Sequence, residues 1–255
     1  MTKEIKNVTI ITVCYNSEKT IRETIESVLN QTHIDFEYIL IDGDSTDKTV
    51  TIIKSFEKKF KEKNIRFKWI SEKDSGIYDA FNKGIKLANS NWISFLGSDD
   101  LYLENAIEIY SEEINKLAKK VDFIHSNVEV EGVRTIQGKW LWKTFKRNMS
   151  IAHVGSFHNL NYFKKYSDFD TSYKIAGDYE LLLRAKENLK THWINKKTVL
   201  MSAGGISNNQ IKKVYAETTR AKKQTGQVNF FLYNFDYIKW MFKYYIKITL
   251  NAFTR

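Results

Sequence analysis

The chain has 255 residues, with 40 Lys and Arg against 30 Asp and Glu, a formal charge of +10 and a pI near 9.3. That length can bury a sizeable core in one domain or two closely fused layers. The single cysteine, Cys14, excludes an internal disulfide and suits a reducing compartment, and no signal peptide is expected because Lys3-Glu4-Ile5-Lys6 leads straight into an apolar run.

That run, Val8-Thr9-Ile10-Ile11-Thr12-Val13, is β-branched and of strand length, and it ends in Cys14-Tyr15-Asn16-Ser17. A helix is predicted from about Lys19 to Gln31, with Ile21, Ile25, Val28 and Leu29 on one face. Tyr38-Ile39-Leu40-Ile41 reads as a second buried strand, ending in Asp42-Gly43-Asp44-Ser45-Thr46-Asp47, and an amphipathic helix follows from about Lys48 to Phe60. Phe67-Lys68-Trp69-Ile70 is a third strand, ending in Ser71-Glu72-Lys73-Asp74. A fourth, Asn91 to Leu96, runs into Gly97-Ser98-Asp99-Asp100, and Leu101 to Leu117 has a helical pattern. Strands alternating with helices imply an α/β fold with a mainly parallel central sheet covered on both faces. Ligands of such sheets bind outside the carboxyl ends of the strands, where polar and acidic residues converge in this chain.

Asp99 and Asp100 are the sharpest of these signals. Paired carboxylates at a sheet edge are hard oxygen ligands suited to Mg2+ or Mn2+ bridging phosphates. The plainer alternative is that they cap the helix that follows. Cys14-Tyr15-Asn16-Ser17 is neither a dinucleotide fingerprint nor a P-loop, which argues against a dehydrogenase or a P-loop nucleotidase. A bound diphosphate would then need a metal rather than a glycine nest.

Taken together and in order, Thr12 to Ser17, Ile41 to Asp47, Ser71 to Gly84 and Gly97 to Asp100 resemble the family 2 glycosyltransferases of the GT-A fold, in their bacterial surface-polysaccharide branch. The resemblance continues through Phe169-Asp170, Ile175 to Arg184 and Gly204 to Ser207, and covers roughly Val8 to Gly226. It implies inverting, metal-dependent transfer of a hexosyl or N-acetylhexosaminyl unit from a nucleoside-diphosphate sugar, by preference a UDP-sugar. The acceptor would be a hydroxyl of a glycan or lipid-linked molecule in surface polysaccharide biosynthesis. It also implies that Thr12, Tyr15, Asn16 and Asp42 meet the base and ribose, with Asp44 beside them, while Asp74 and Asp79 line the diphosphate or sugar side. Gly97 stands where the family usually has the first acid of Asp-x-Asp, which leaves Asp99 and Asp100 as metal ligands and Ser98 and Asp99 beside the donor. Asp178 matches the family's catalytic base, and His153 matches a histidine near the acceptor, with His158 the weaker candidate.

On this reading residues 1–104 form the nucleotide-sugar-binding half, 105–226 the acceptor-binding and catalytic half, and 227–255 an aromatic, basic tail. Lys239, Lys243 and Lys247 fall at helical spacing among Phe230, Phe231, Tyr233, Phe235, Tyr237, Trp240, Phe242, Tyr244 and Tyr245. Such a tail reads as an amphipathic helix lying in an anionic membrane interface, placing a cytoplasmic protein on the inner face of the plasma membrane. Asp236 and the lysines interrupt any spanning run. The alternatives are a helix packed on the core or a homodimer contact. Two other function classes stand beside the enzyme. One is a catalytically silent sugar-nucleotide binder, suggested by the shortened acidic motif. The other is a single-stranded nucleic-acid binder, disfavoured because acids at the strand ends repel phosphates.

Overall fold

The computed structural model describes residues 8–117, 121–205 and 210–226, together with Ile238. In chain order the first half holds β1 (Val8–Cys14), α1 (Ile21–Leu29), β2 (Phe36–Asp42), α2 (Thr49–Lys54), α3 (Glu57–Glu62), β3 (Arg66–Ser71), α4 (Ile77–Leu87), β4 (Trp92–Gly97) and β5 (Leu101–Tyr102). The second half holds α5 (Ala106–Leu117), β6 (Phe123–Val130), β7 (Arg134–Ile136), α6 (Trp142–Phe145), β8 (Phe157–Asn159), α7 (Leu160–Tyr166), α8 (Gly177–Arg184), β9 (Thr191–Met201) and α9 (Ile211–Gln224). Every strand belongs to one sheet in the order β3-β2-β1-β4-β8-β6-β9-β5, with β7 pairing β6.

β1 is buried along its whole length, so its sequence runs almost continuously apolar, as expected for a strand with both faces covered. Ile10 and Cys14 pack on one side with Phe36, Tyr38 and Leu40 of β2, against α1, α3 and α5. Ile11 and Val13 pack on the other with Ile39 and Ile41, against α4, α7 and α8. Each fully buried Ile or Phe contributes about 1.5–3 kcal/mol, so both layers hold the sheet firmly.

β1, β2, β3 and β4 are parallel, with Cys14 opposite Asp42, Asp42 opposite Ser71 and Val13 opposite Gly97. The loops after all four strands therefore leave at one edge. The chain moves outward from β1 to β2 and β3, then crosses back to β4 on the far side of β1. This reversal makes the gap between the ends of β1 and β4 the switch point, where open α/β sheets bind ligands. β8 then runs antiparallel to β4 and β6, and β6 and β9 form a second parallel ladder.

Two elements depart from the expected pattern. The helix expected over Lys48 to Phe60 is two short ones, because the Ser55 hydroxyl donates back to the Ile52 carbonyl at 2.6 Å and Phe56 turns fully into the core. Leu101 and Tyr102 do not open a helix; they pair with Leu200 and Val199 of β9, and α5 begins at Ala106. Asp99 and Asp100 therefore precede a strand, which removes the capping alternative for them. The tail expected to lie in the membrane falls outside the described residues, apart from Ile238.

Candidate active site

Hydrogen bonds that cross from one strand end to the next assemble the edge. Asn16 donates its N–H to the Ser45 hydroxyl at 2.8 Å and accepts the Thr46 N–H at 2.9 Å. The Ser17 N–H donates to the Thr49 hydroxyl at 2.8 Å, the Glu18 N–H donates to Asp47 Oδ2 at 3.0 Å, and Glu18 Oε2 accepts the Lys48 N–H at 3.0 Å. Asn16 and Asp44 both sit at positive φ, 49° and 67°, which Asn and Asp tolerate better than most residues. Across the switch point the Ser17 and Ser98 hydroxyls are 3.0 Å apart, tying the loop after β1 to the acidic loop after β4.

The expected donor residues divide into two groups. Tyr15 is 62 % exposed, and Asp44 and Asp99 also face solvent. Asp74 lies over Gly43, where a Cβ would come within 2.6 Å of Asp74 Oδ2 and 3.5 Å of the Tyr15 ring, so Tyr15, Gly43 and Asp74 form one patch. Thr12 and Asp42, by contrast, are fully buried. Asp42 Oδ1 accepts from the Ser45 hydroxyl at 2.5 Å and the Cys14 thiol at 3.5 Å, and Oδ2 from the Ser71 hydroxyl at 2.6 Å and the Ser45 N–H at 3.0 Å. Asp42 thus fastens three strand ends together from below. The arrangement also pushes the Cys14 thiol far above its ordinary range, through burial first and the Asp42 charge second. Asp79 stands in the first turn of α4 and accepts the Ser75 N–H at 2.9 Å, holding the turn that carries Asp74.

Gly97 has a steric reason to be glycine. A Cβ there would meet Asp100 Oδ2 at 2.5 Å and Asp99 Oδ1 at 3.0 Å, so both carboxylates fold back over the same backbone. Asp100 is 8 % exposed, and its Oδ1 accepts the Ser202 N–H at 2.9 Å. Burial, then the charge of Asp99, pushes the Asp100 carboxyl up to about 7. Two crowded carboxylates, one of them open to solvent, are a donor set that a divalent cation would relieve, and they fit Mg2+ or Mn2+ completed by water and diphosphate oxygens. Among the described residues no cluster of three or more His, Cys, Asp or Glu forms a closed metal cage.

The raised Asp100 carboxyl has a consequence for stability. Folding takes up a proton there between 3.8 and about 7, so this group's contribution falls as pH rises through that window. Asp100→Asn keeps an oxygen for the Ser202 N–H and removes the charge. In chelator at pH 8 it should exceed the wild type in stability by ~2–4 kcal/mol, and the gain should vanish near pH 4. Thermal melts at both pH values measure this; equal stability at pH 8 contradicts a strained carboxylate.

Asp178 is the second residue of α8, whose N-cap is Ala176. Its Oδ1 accepts the Tyr179 N–H at 2.8 Å and the Tyr78 hydroxyl at 3.4 Å, and Oδ2 makes no hydrogen bond among the described residues. Tyr78, from α4, also donates to the Ile175 carbonyl at 2.7 Å, and its ring lies so close to Gly177 that a Cβ there would sit 2.7–2.8 Å from three ring carbons. Helix α4 thereby supports the α8 turn from beneath. His153 stacks on Phe95 of β4, and its Nε2 lies 2.9 Å from Nε2 of the buried His158. Burial lowers the His153 imidazole below its ordinary range, against the pull of Asp178, and lowers His158 well below its own. Both rings are neutral at neutral pH, and one proton serves the two facing nitrogens. Arg184, on the same helix as Asp178, clamps Glu180 and the carbonyls of Tyr166, Ser167 and Asp168.

The fold and this edge define an α/β protein of GT-A type, its switch point edged by two adjacent carboxylates. The chain belongs to the glycosyl transferase family 2, whose model matches residues 9–177, and it is a glycosyltransferase. It is 33 % identical over 216 residues to the E. coli UDP-Glc:alpha-D-GlcNAc-diphosphoundecaprenol beta-1,3-glucosyltransferase WfgD, covering 81 % of this chain and 82 % of that one. Residues 1–349 of S. aureus TarS, solved with UDP-GlcNAc, share the fold with a TM-score of 0.69 and 17 % identity, over 86 % of this chain and 66 % of that one. The mannosyltransferase PcManGT of Pyrobaculum calidifontis, solved with GDP-Man and Mn2+, gives 0.67 and 13 %, over 89 % and 66 %.

Proposed function

We propose that the protein transfers a hexosyl or N-acetylhexosaminyl unit from a UDP-sugar to a hydroxyl of a glycan or lipid-linked acceptor in surface polysaccharide assembly, with inversion at the anomeric carbon. The observation that carries this reading is the Asp99–Asp100 pair at the switch point, folded over Gly97 beside the tied Ser17 and Ser98 loops. Tyr15 offers an exposed ring for the base, and Asp74 edges the same patch. Asp99 and Asp100 would hold Mg2+ or Mn2+, which when bound supplies positive charge to the leaving diphosphate. An acceptor hydroxyl is a weak nucleophile at neutral pH, so a positioned carboxylate must take its proton as the bond to the sugar forms. Asp178 fills that role through Oδ2, which makes no hydrogen bond among the described residues, while Tyr78 and the Tyr179 N–H hold Oδ1. His153, neutral and locked against His158, orients rather than ionises. The names of the UDP-Glc-dependent relative and the UDP-GlcNAc-bound neighbour favour uridine donors. A panel of nucleotide sugars, scored for release of nucleoside diphosphate with Mn2+ and with chelator, tests the proposal. Release from UDP-sugars above others supports it; the absence of turnover with any donor would favour the silent binder.

Among the described residues no helix is long and apolar enough to cross a membrane. Peripheral attachment would then fall to Lys239, Lys243 and Lys247 and the aromatics around them, each lysine adding on the order of 1 kcal/mol at an anionic surface. Truncation before Val228, or the triple Lys→Glu change, should release the protein from anionic vesicles in a sedimentation assay. Transfer to a soluble acceptor analogue should survive either change. Vesicle binding that persists in both variants contradicts the assignment.

A further inference from the structure

Three consecutive backbone N–H groups, of Lys174, Ile175 and Ala176, converge on the carboxylate of Glu217 at 2.9, 2.8 and 2.9 Å. Lys174 to Ala176 lead directly into α8, whose second residue is Asp178, whereas Glu217 belongs to α9, at least 41 residues further along the chain. N–H groups at a helix start carry partial positive charge, and bonds from them to a carboxylate are stronger than neutral ones. Left open, these donors would seek another acceptor, and they lie only two to four residues ahead of Asp178.

We propose that Glu217 is a positioning residue for the transfer reaction: it occupies the donors ahead of α8 and so keeps the Asp178 carboxylate turned toward the acceptor. The proposal rests on Asp178 being the base. From the opposite side, the Tyr78 hydroxyl holds the Ile175 carbonyl and approaches Asp178 Oδ1. The Asp178 turn is therefore gripped between α4, which follows the donor-side loop of Asp74, and α9. The docking of α9 does not depend on Glu217 alone. Arg220 lies 3.6 Å over the Tyr173 ring and donates to the Ser172 hydroxyl at 2.7 Å, and the Tyr173 hydroxyl donates to Gln224.

The test is a double-mutant cycle on the full chain, with turnover measured against a UDP-sugar and UDP affinity measured by calorimetry. Glu217→Ala should lower kcat on the order of 10-fold or more, the scale of a misaligned catalytic group, and leave UDP affinity within about twofold. Glu217→Gln keeps one accepting oxygen and turns its amide toward the remaining N–H, so it should give a smaller loss; it carries the test if the alanine variant does not fold. In the Asp178→Asn background either change should cause no further loss, because both act through one carboxylate. Losses that multiply, or a fall in UDP affinity that accounts for the change, would overturn the positioning role. If Asp178→Asn alone keeps wild-type turnover, the assignment of the base fails, whatever Glu217 does, and the proposal fails with it.

Discussion

Asp178→Asn should lower turnover by ~10²-fold or more while the affinity for nucleoside diphosphate is retained. The substitution keeps shape and the Oδ1 contacts, since an amide oxygen still accepts from the Tyr179 N–H and the Tyr78 hydroxyl. What it removes is the proton-accepting power of Oδ2. The split between a lost kcat and a retained donor affinity marks a group that acts in the transition state rather than in ground-state binding. If turnover persists, the proton leaves by another route. His153 is then the next group to replace, because burial keeps its imidazole neutral and so able to accept a proton.

Asp99→Ala and Asp100→Ala should each nearly abolish transfer, and chelation should do the same to the wild type. The two residues contribute differently. Asp99 is exposed and free to meet a cation, whereas Asp100 is buried and anchored by the Ser202 N–H. Added Mn2+ should therefore partly rescue an Asp99→Glu variant, whose longer side chain can still reach outward, and should not rescue the corresponding change at the confined Asp100. Full wild-type activity in excess chelator contradicts the metal role and calls for cation-independent stabilisation of the diphosphate.

Much of this molecule is legible in its sequence because the first four strands are unusually plain. Val8 to Val13, Tyr38 to Ile41, Phe67 to Ile70 and Asn91 to Leu96 are apolar runs, each followed by polar residues, and the structure extends or trims them by a residue or two. The second half is harder to read. β8 spans only Phe157–Asn159 and β5 only Leu101–Tyr102, too short for any periodicity to announce them, and both exist through pairing with distant strands. At the site, motif order singles out Asp99, Asp100 and Asp178 as candidates, but it cannot tell an exposed acid from a buried one. Asp42 illustrates this: it sits at a strand end like the others, yet Ser45, Ser71 and Cys14 enclose it. Ser71 reads as a strand-terminal serine; what it bonds depends on the register of β3 on β2. Glu217 carries no local signal at all, because its partners are backbone N–H groups far away in sequence.

In the proposed function, the edge between β1 and β4 holds a nucleoside diphosphate through a cation on Asp99 and Asp100. A calorimetric titration of UDP into the protein, with Mn2+ and with chelator, tests it most directly when Asp99→Ala is titrated in parallel. Clear binding is expected with Mn2+, binding weakened at least about tenfold in chelator, a difference of roughly 1.4 kcal/mol, and no response to Mn2+ in the variant. UDP binding of equal strength under both conditions and in both proteins would contradict it.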